Sequence, residues 1–293
     1  MSEPLKYEKY ISKKKKKEKI KRGIMILTAA ATIAAAGIGI KKGLNNYDSD
    51  AKNYFKQRIN ELSNTTQEIT FEDISKDARY MRKLGYDVSE KDLISIALVI
   101  KEESGNYSKE KDSKLKQSKD MGGIFNVIFN RALASRYNPE LKKRFASDEK
   151  FNFEDIVLKP FQFSAANSKE FREKLEKVNK SKNLYEGYKI EKNRKILIPI
   201  LDKQKLNLAY LTLLECAIKA KTDTLYSDPT DGATHYKNNS VVKNIWHDSD
   251  FNGNYRLSNN KKIQDHSYYS LKDKKGNNPI LEYQKNFQKK IKK

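Results

Sequence analysis

A pair of carboxylates closes the most apolar segment of the chain's central part. Leu93 to Ile100 is hydrophobic nearly throughout, and Lys101-Glu102-Glu103-Ser104-Gly105 follows it directly. A carboxyl group at the mouth of such a segment is partly desolvated. Desolvation raises its pKa and suits it to give up a proton near neutral pH. Further along stand Gly122-Gly123, then Asn126, Val127, Ile128, Asn130 and Arg131. Asp155-Ile156-Val157 and Phe161-Gln162-Phe163-Ser164 come next, followed by Asp231-Gly232-Ala233-Thr234-His235-Tyr236 and Trp246. His266 with Tyr268-Tyr269 completes the series. Gln162, Ser164, Thr234, His235 and Tyr236 are the residue types that bond or stack on sugars. They serve equally well as caps, turns and satisfied core polar groups.

Taken in order, these segments resemble the SleB/CwlJ-type cell-wall hydrolases, a family that includes the spore-cortex-lytic enzymes, over roughly Lys91 to Tyr269. Glu102-Glu103-Ser104-Gly105 stands where the family has its acid, a small residue, a variable one and Gly. Val127-Ile128-Phe129-Asn130-Arg131 is similar to the family's Val-Ile-Asn-Arg helix end. Gln162-Phe163-Ser164 and Gly232-Ala233-Thr234-His235-Tyr236 are similar to its Gln-Phe-Ser and Gly-Ala-Thr-His-Tyr. His266 with Tyr268 and Tyr269 looks like its closing His with paired aromatics. The chain departs from the pattern at Glu103, where the family has a small residue. Glu102 is the expected acid because Ser104-Gly105 align behind it.

The resemblance implies a lysozyme-like or lytic-transglycosylase-like domain that cuts the MurNAc–GlcNAc bond of peptidoglycan. Gln162, Ser164, Thr234, His235, Tyr236 and His266 are its expected substrate-binding residues. Glycoside hydrolysis commonly uses two carboxylates. Asp228 and Asp231 are the available second acids, in a turn-rich setting that suits structural roles better. One carboxylate suffices for a lytic transglycosylase, in which Glu102 protonates the glycosidic oxygen. It then takes the proton of the muramic acid C6 hydroxyl, which closes on C1 as a 1,6-anhydro ring. A lysozyme-type hydrolase of the same bond and an inactive, tethered wall-binding protein are the alternatives. His235, His247 and His266 lack close metal-ligand spacing, so neither a metal nor a cofactor is expected. Cys216 lies among Leu213, Leu214 and Ala217 and reads as a small buried hydrophobe.

Around these residues the pattern predicts a mostly helical α+β fold. Ile74, Ala78, Met81 and Leu84 share one helix face, with Gly85 at the C-terminal cap. Ser89 with Asp92 forms a capping-box pattern before the apolar helix. Further amphipathic helices are predicted over about 121–134 and 206–221. Residues 106–119 and 177–195 read as surface insertions, 222–260 as irregular, and 271–293 as a basic tail.

The chain opens on a basic cytoplasmic segment, 1–22, with Lys13 to Lys17, Lys19, Lys21 and Arg22. Residues 23–40 carry no charge and meet the lower length limit of a membrane helix, about 17 residues. The lysines before them favour an amino terminus held in the cytoplasm. Residues 41–70, with a short helical stretch around Tyr54 to Leu62, are then a stem and 71–270 the catalytic domain, outside the cytoplasm. A cleaved signal peptide ending near Ala34-Ala35-Ala36 is the competing reading, giving a secreted or phage-associated protein. The chain has 60 Lys and Arg against 38 Asp and Glu, a formal charge of +22. That surplus calls for a polyanionic surface. Peptidoglycan glycan strands, anionic wall polymers and lipid head groups are the expected partners. Scarce Arg, no nucleic-acid motif and the anchor argue against nucleic acid.

Overall fold

The computed structural model describes residues 49–64, 68–105, 113–146, 153–159, 162–186, 197–222, 228–238, 254–264 and 266–289. The expected anchor at 23–40, Phe161, Trp246 and His247 lie outside them. In chain order the helices are α1 (Ser49–Asn64), α2 (Phe71–Lys83), α3 (Glu90–Glu103), α4 (Ser113–Tyr137), α5 (Pro139–Phe145) and α6 (Phe153–Leu158). A 3-10 turn (Ala165–Asn167), α7 (Lys169–Ser181) and α8 (Leu197–Thr222) follow. Strands β1 (Ala233–Asn238), β2 (Tyr255–Ile263) and β3 (His266–Asp273) precede the last helix, α9 (Pro279–Lys289). The fold is therefore mostly helical α+β with one small sheet. No described helix is long and apolar enough to cross a membrane.

Local signals explain how the helices begin and end. Thr70 and Ser89 each form a reciprocal capping box, with Asp73 and Asp92 respectively. After α2, Gly85 takes φ +84°. Its N–H donates to the Arg82 carbonyl and that of Tyr86 to the Met81 carbonyl, closing a Schellman turn that the left-handed Gly permits. The α2 face of Ile74, Ala78, Met81 and Leu84 is buried as its spacing predicts.

Helix α3 runs through the middle of the core. Every residue from Asp92 to Lys101 is buried, and α2, α4, α6, α7 and α8 pack around it. An apolar helix enclosed on all sides is rigidly placed, so its last turn is a firm platform. Helix α4 lies beside it and carries β1 along its flank. The sheet is antiparallel in the order β1-β3-β2, with Tyr236 opposite Tyr268 and Asn238 opposite His266.

Several elements differ from the sequence reading. Residues 49–64 are not a stem: Ala51, Phe55 and Ile59 of α1 are buried in the main core. Helix α4 begins at Ser113, so Gly122-Gly123 lies inside it rather than at its start. A Cβ on Gly123 would come within 2.2 Å of the Tyr268 hydroxyl, so the glycine lets β3 lie against the helix. The region read as irregular, 222–260, holds β1 and the first part of β2. The stretch read as a tail holds the end of β3 and α9, with Leu271, Ile280 and Phe287 buried. Val178, Leu184 and Tyr185 are buried too, so 177–186 is not a surface insertion.

Candidate functional site

Successive residues of an α-helix are turned by about 100°, and this rotation separates the two carboxylates ending α3. Glu102 turns toward α7: its Oε1 accepts from Lys174 Nζ at 2.9 Å and Lys101 Nζ at 3.0 Å. Burial pushes this carboxyl up, but the two ammonium groups outweigh it and hold the pKa below its ordinary value. Glu103 turns toward β1 and the segment before the 3-10 turn. Its Oε1 accepts from Ser164 Oγ at 2.8 Å and from the Ala165 N–H at 2.6 Å. Its Oε2 accepts from Tyr236 Oη at 2.9 Å. The carboxylate that meets the Gly232–Tyr236 segment is thus Glu103, and the expected acid, Glu102, is committed to lysines.

Arg131 of α4 fastens together the two segments that converge on Glu103. It is buried, its Nε donates to the Thr234 carbonyl at 2.6 Å and its Nη1 to the Gln162 carbonyl at 3.0 Å. The guanidinium lies 4.6 Å from the centre of the Phe163 ring. Burial brings its pKa down to about 10, against the opposing fields of Tyr236 and Glu103. It therefore stays cationic at neutral pH.

Its neighbour Asn130 fixes the start of β1. Its Nδ2 donates to the Ala233 carbonyl and to Asp228 Oδ2, each at 2.8 Å. Asp228 also accepts from the Thr230 N–H, the Gly232 N–H and Gln284 Nε2. Asp228 is thus the buried organiser of the turn leading into β1, and Gly232 takes φ +72° there. Asp231 stays exposed at that turn.

A second buried pair stands behind Tyr236. His266 Nδ1 and Asp120 Oδ1 are 2.6 Å apart, both side chains almost wholly enclosed. The His266 ring meets the Tyr236 ring edge-on at 5.1 Å between centroids. Asp120 Oδ2 accepts from the Gly105 N–H at 2.9 Å, two residues beyond Glu103.

Of the expected site residues, Ser164 and Tyr236 touch Glu103 directly, and His266 backs Tyr236. Gln162 contributes its main-chain carbonyl to Arg131, while its side-chain Oε1 is buried and accepts no hydrogen bond among the described residues. Thr234 gives its carbonyl to Arg131 and its hydroxyl lies 2.9 Å from His235 Nδ1. His235 itself packs toward Phe145, at 5.8 Å between rings. Burial, with Arg131 and Arg144 nearby, holds its pKa well below the ordinary histidine value, so the ring is neutral. Strand alternation puts it on the opposite side from Tyr236.

Glu103, Arg131 and Asp120 were not among the expected site residues. The motif containing Arg131 was readable, though its role as a clamp was not. Asp120 sits in a polar run that carries no sequence signal. Among the described residues, no cluster of three or more His, Cys, Asp or Glu could hold a metal ion.

What the arrangement can do chemically follows from its parts. It offers one partly exposed carboxylate held by three donors, a buried cation beside it, and aromatic hydroxyl and ring surface on its sheet side. No protein-family model, curated protein or solved structure matches this chain.

Proposed function

We propose that the chain is a peptidoglycan-lytic enzyme that cleaves the MurNAc–GlcNAc bond as a lytic transglycosylase, with Glu103 as its acid and base. One observation carries this reading. The segments that resemble the SleB/CwlJ-type hydrolases meet at a single carboxylate, through Ser164, Ala165 and Tyr236 on Glu103 and Arg131 behind them. Tyr236 and Ser164 hold the carboxylate in one orientation, which general acid–base catalysis requires.

The proton cycle uses one group. Protonated Glu103 donates to the glycosidic oxygen as the bond to C1 breaks. The resulting carboxylate then accepts the proton of the muramic acid C6 hydroxyl, whose oxygen closes on C1. Two neighbouring carboxylates are already engaged: Glu102 with Lys101 and Lys174, and Asp120 with His266 and the Gly105 N–H. This favours the single-carboxylate route over a two-carboxylate hydrolysis. The lysozyme-like character of the domain, and its place on the outer side of a membrane anchored by 23–40, belong to the same proposal. The charge of +22 suits retention on anionic wall polymer.

Zymograms on peptidoglycan test it. Clearing is expected to disappear in Glu103→Gln, a loss of about 10²–10⁴-fold for acid–base assistance, and to persist in Glu102→Gln. Mass spectrometry of the released muropeptides is expected to show 1,6-anhydro ends. Reducing ends would make the enzyme a hydrolase, and a chain that binds wall without releasing fragments would be the tethered binding protein.

A further inference from the structure

The pair formed by Asp120 and His266 has a geometry that bears on Glu103 from two sides. A carboxylate can only accept hydrogen bonds, so the hydrogen between Asp120 Oδ1 and His266 Nδ1 belongs to the imidazole. That bond, 2.6 Å long and almost fully enclosed, fixes both the tautomer and the rotation of the ring. The ring in turn presents its edge to Tyr236, and Tyr236 donates to Glu103 Oε2. The other oxygen of Asp120 holds the Gly105 N–H, where the chain leaves α3 just past Glu103. Asp120 therefore ties α4 to β3, the strand paired with the β1 that carries Tyr236, and to the exit of α3, which carries Glu103.

From this we infer that Asp120 and His266 are positioning residues, which hold the Tyr236 hydroxyl on Glu103 and so set the orientation of the reacting carboxylate. This rests on the proposed role of Glu103. Both side chains are almost wholly enclosed, His266 included, so each works through a neighbour rather than on the glycan itself. A polar pair buried this deeply is costly unless its geometry is complete, and here both Asp120 oxygens and His266 Nδ1 are used. Packing Tyr268 against Gly123 adds a stop from behind, because Tyr268 lies opposite Tyr236 in the sheet.

The test separates positioning from mere stability. Asn at 266 puts an amide N–H where Nδ1 stands and keeps the link to Asp120, but removes the ring that meets Tyr236. The full chain is compared with Tyr236→Phe, His266→Asn, the double variant, Asp120→Asn and Glu103→Gln. Measured are kcat and KM on soluble glycan strands, the melting temperature, and the ¹³C resonance of the Glu103 carboxyl, identified by its loss in Glu103→Gln. In His266→Asn, kcat is expected to fall about ten- to a hundredfold, the scale of a small misplacement, with KM within about twofold. The Glu103 resonance is expected to move in the same direction as in Tyr236→Phe, and the double variant to be no worse than Tyr236→Phe alone. Asp120→Asn reproduces the resonance shift and serves where His266→Asn does not fold. An unmoved Glu103 resonance in both variants, or losses that simply add in the double variant, would overturn the inference. If wild type and Glu103→Gln release no glycan fragments alike, the catalytic reading fails, while the resonance comparison still decides whether the pair positions Glu103.

Discussion

Glu102 and Glu103 leave the last turn of α3 in different directions, and their partners make them chemically unlike. Glu102 has two ammonium groups within 3.0 Å, whereas Glu103 has two hydroxyls and one amide. A carboxyl held down by lysines makes a poor proton donor near neutrality, and its contribution is to stability instead. The folded-state pKa of Glu102 lies below its ordinary value of 4.5. A depressed carboxyl stabilises the fold above the unfolded-state pKa, and that contribution fades as pH falls through the folded value. Glu102→Gln is therefore expected to melt slightly lower than wild type at pH 7, with the gap closing as the pH falls below the ordinary value of 4.5 and through the folded one. The effect is small because the pair is partly solvated; melting curves across that range measure it, and a gap constant with pH would contradict it. The sequence singles out this turn but does not choose between the two neighbours. Leu93 to Ile100 is apolar on every side, so no hydrophobic stripe fixes the rotation of the helix about its axis. Only the packed positions of Lys174, Ser164 and Tyr236 decide which carboxylate faces which way.

Helices announced themselves better than strands. The capping boxes at Thr70 and Ser89 and the left-handed Gly85 are local devices, written in adjacent residues and needing no tertiary partner. Strand β2, with Ser258, Asn259, Asn260, Lys261 and Lys262 in its middle, has no such signature, and it becomes a strand only by pairing with β3. Helix α9 buries just Ile280 and Phe287 of its apolar residues, too thin a stripe to stand out from a lysine-rich end. The glycines of α4 mislead in sequence, since a Gly pair reads as a helix start although here a neighbouring ring needs the space. They also make a paired prediction. A methyl at Gly123 would sit 2.2 Å from Tyr268 Oη, whereas at Gly122 its nearest neighbour is Cys216 Sγ at 3.5 Å. Gly123→Ala is expected to cost about 1–3 kcal/mol through overpacking and to weaken activity by displacing Tyr268 behind Tyr236. Gly122→Ala meets only ordinary contacts and is expected to gain up to about 1 kcal/mol of helix propensity. Thermal denaturation of the two variants decides it; equal effects would mean that β3 yields to the added methyl at no cost.

At the scale of the whole molecule, the folded domain includes α1, upstream of the residue at which the sequence pattern alone places its start. Residues 41–70 carry little in sequence to suggest a core element, yet α1 docks on α2 and α8 through both apolar and polar groups. Phe55 and Ile59 are buried, and Tyr54 stacks on Tyr80 at 3.9 Å. Asp77, fully enclosed on α2, accepts from Tyr54 Oη at 2.7 Å, Arg58 Nε at 3.3 Å and Tyr210 Oη at 2.9 Å, so that α1, α2 and α8 share one carboxylate. Burying Phe55 and Ile59 contributes roughly 1.5–3 kcal/mol each. Against a total stability of about 5–15 kcal/mol for an ordinary domain, α1 is a structural necessity and not a spacer. Phe55→Ala in the full chain is expected to lose about 3–5 kcal/mol. Asp77→Ala is expected to lose a similar amount, because it takes this acceptor from the buried Arg58 guanidinium, the buried Tyr210 hydroxyl and the half-buried Tyr54 hydroxyl. Both losses should appear as a single shifted unfolding transition, with hydrogen exchange rising in α8 as well as in α1. A spacer would give the opposite result, with unchanged melting of the remainder and exchange altered only in residues 49–64. The same docking bears on the tether: eight residues, 41–48, separate the proposed anchor from α1, at most about 28 Å fully extended. If 23–40 anchors the chain as proposed, α1 follows within that distance of the bilayer, and the length of this segment rather than a thirty-residue stem sets how far the domain reaches.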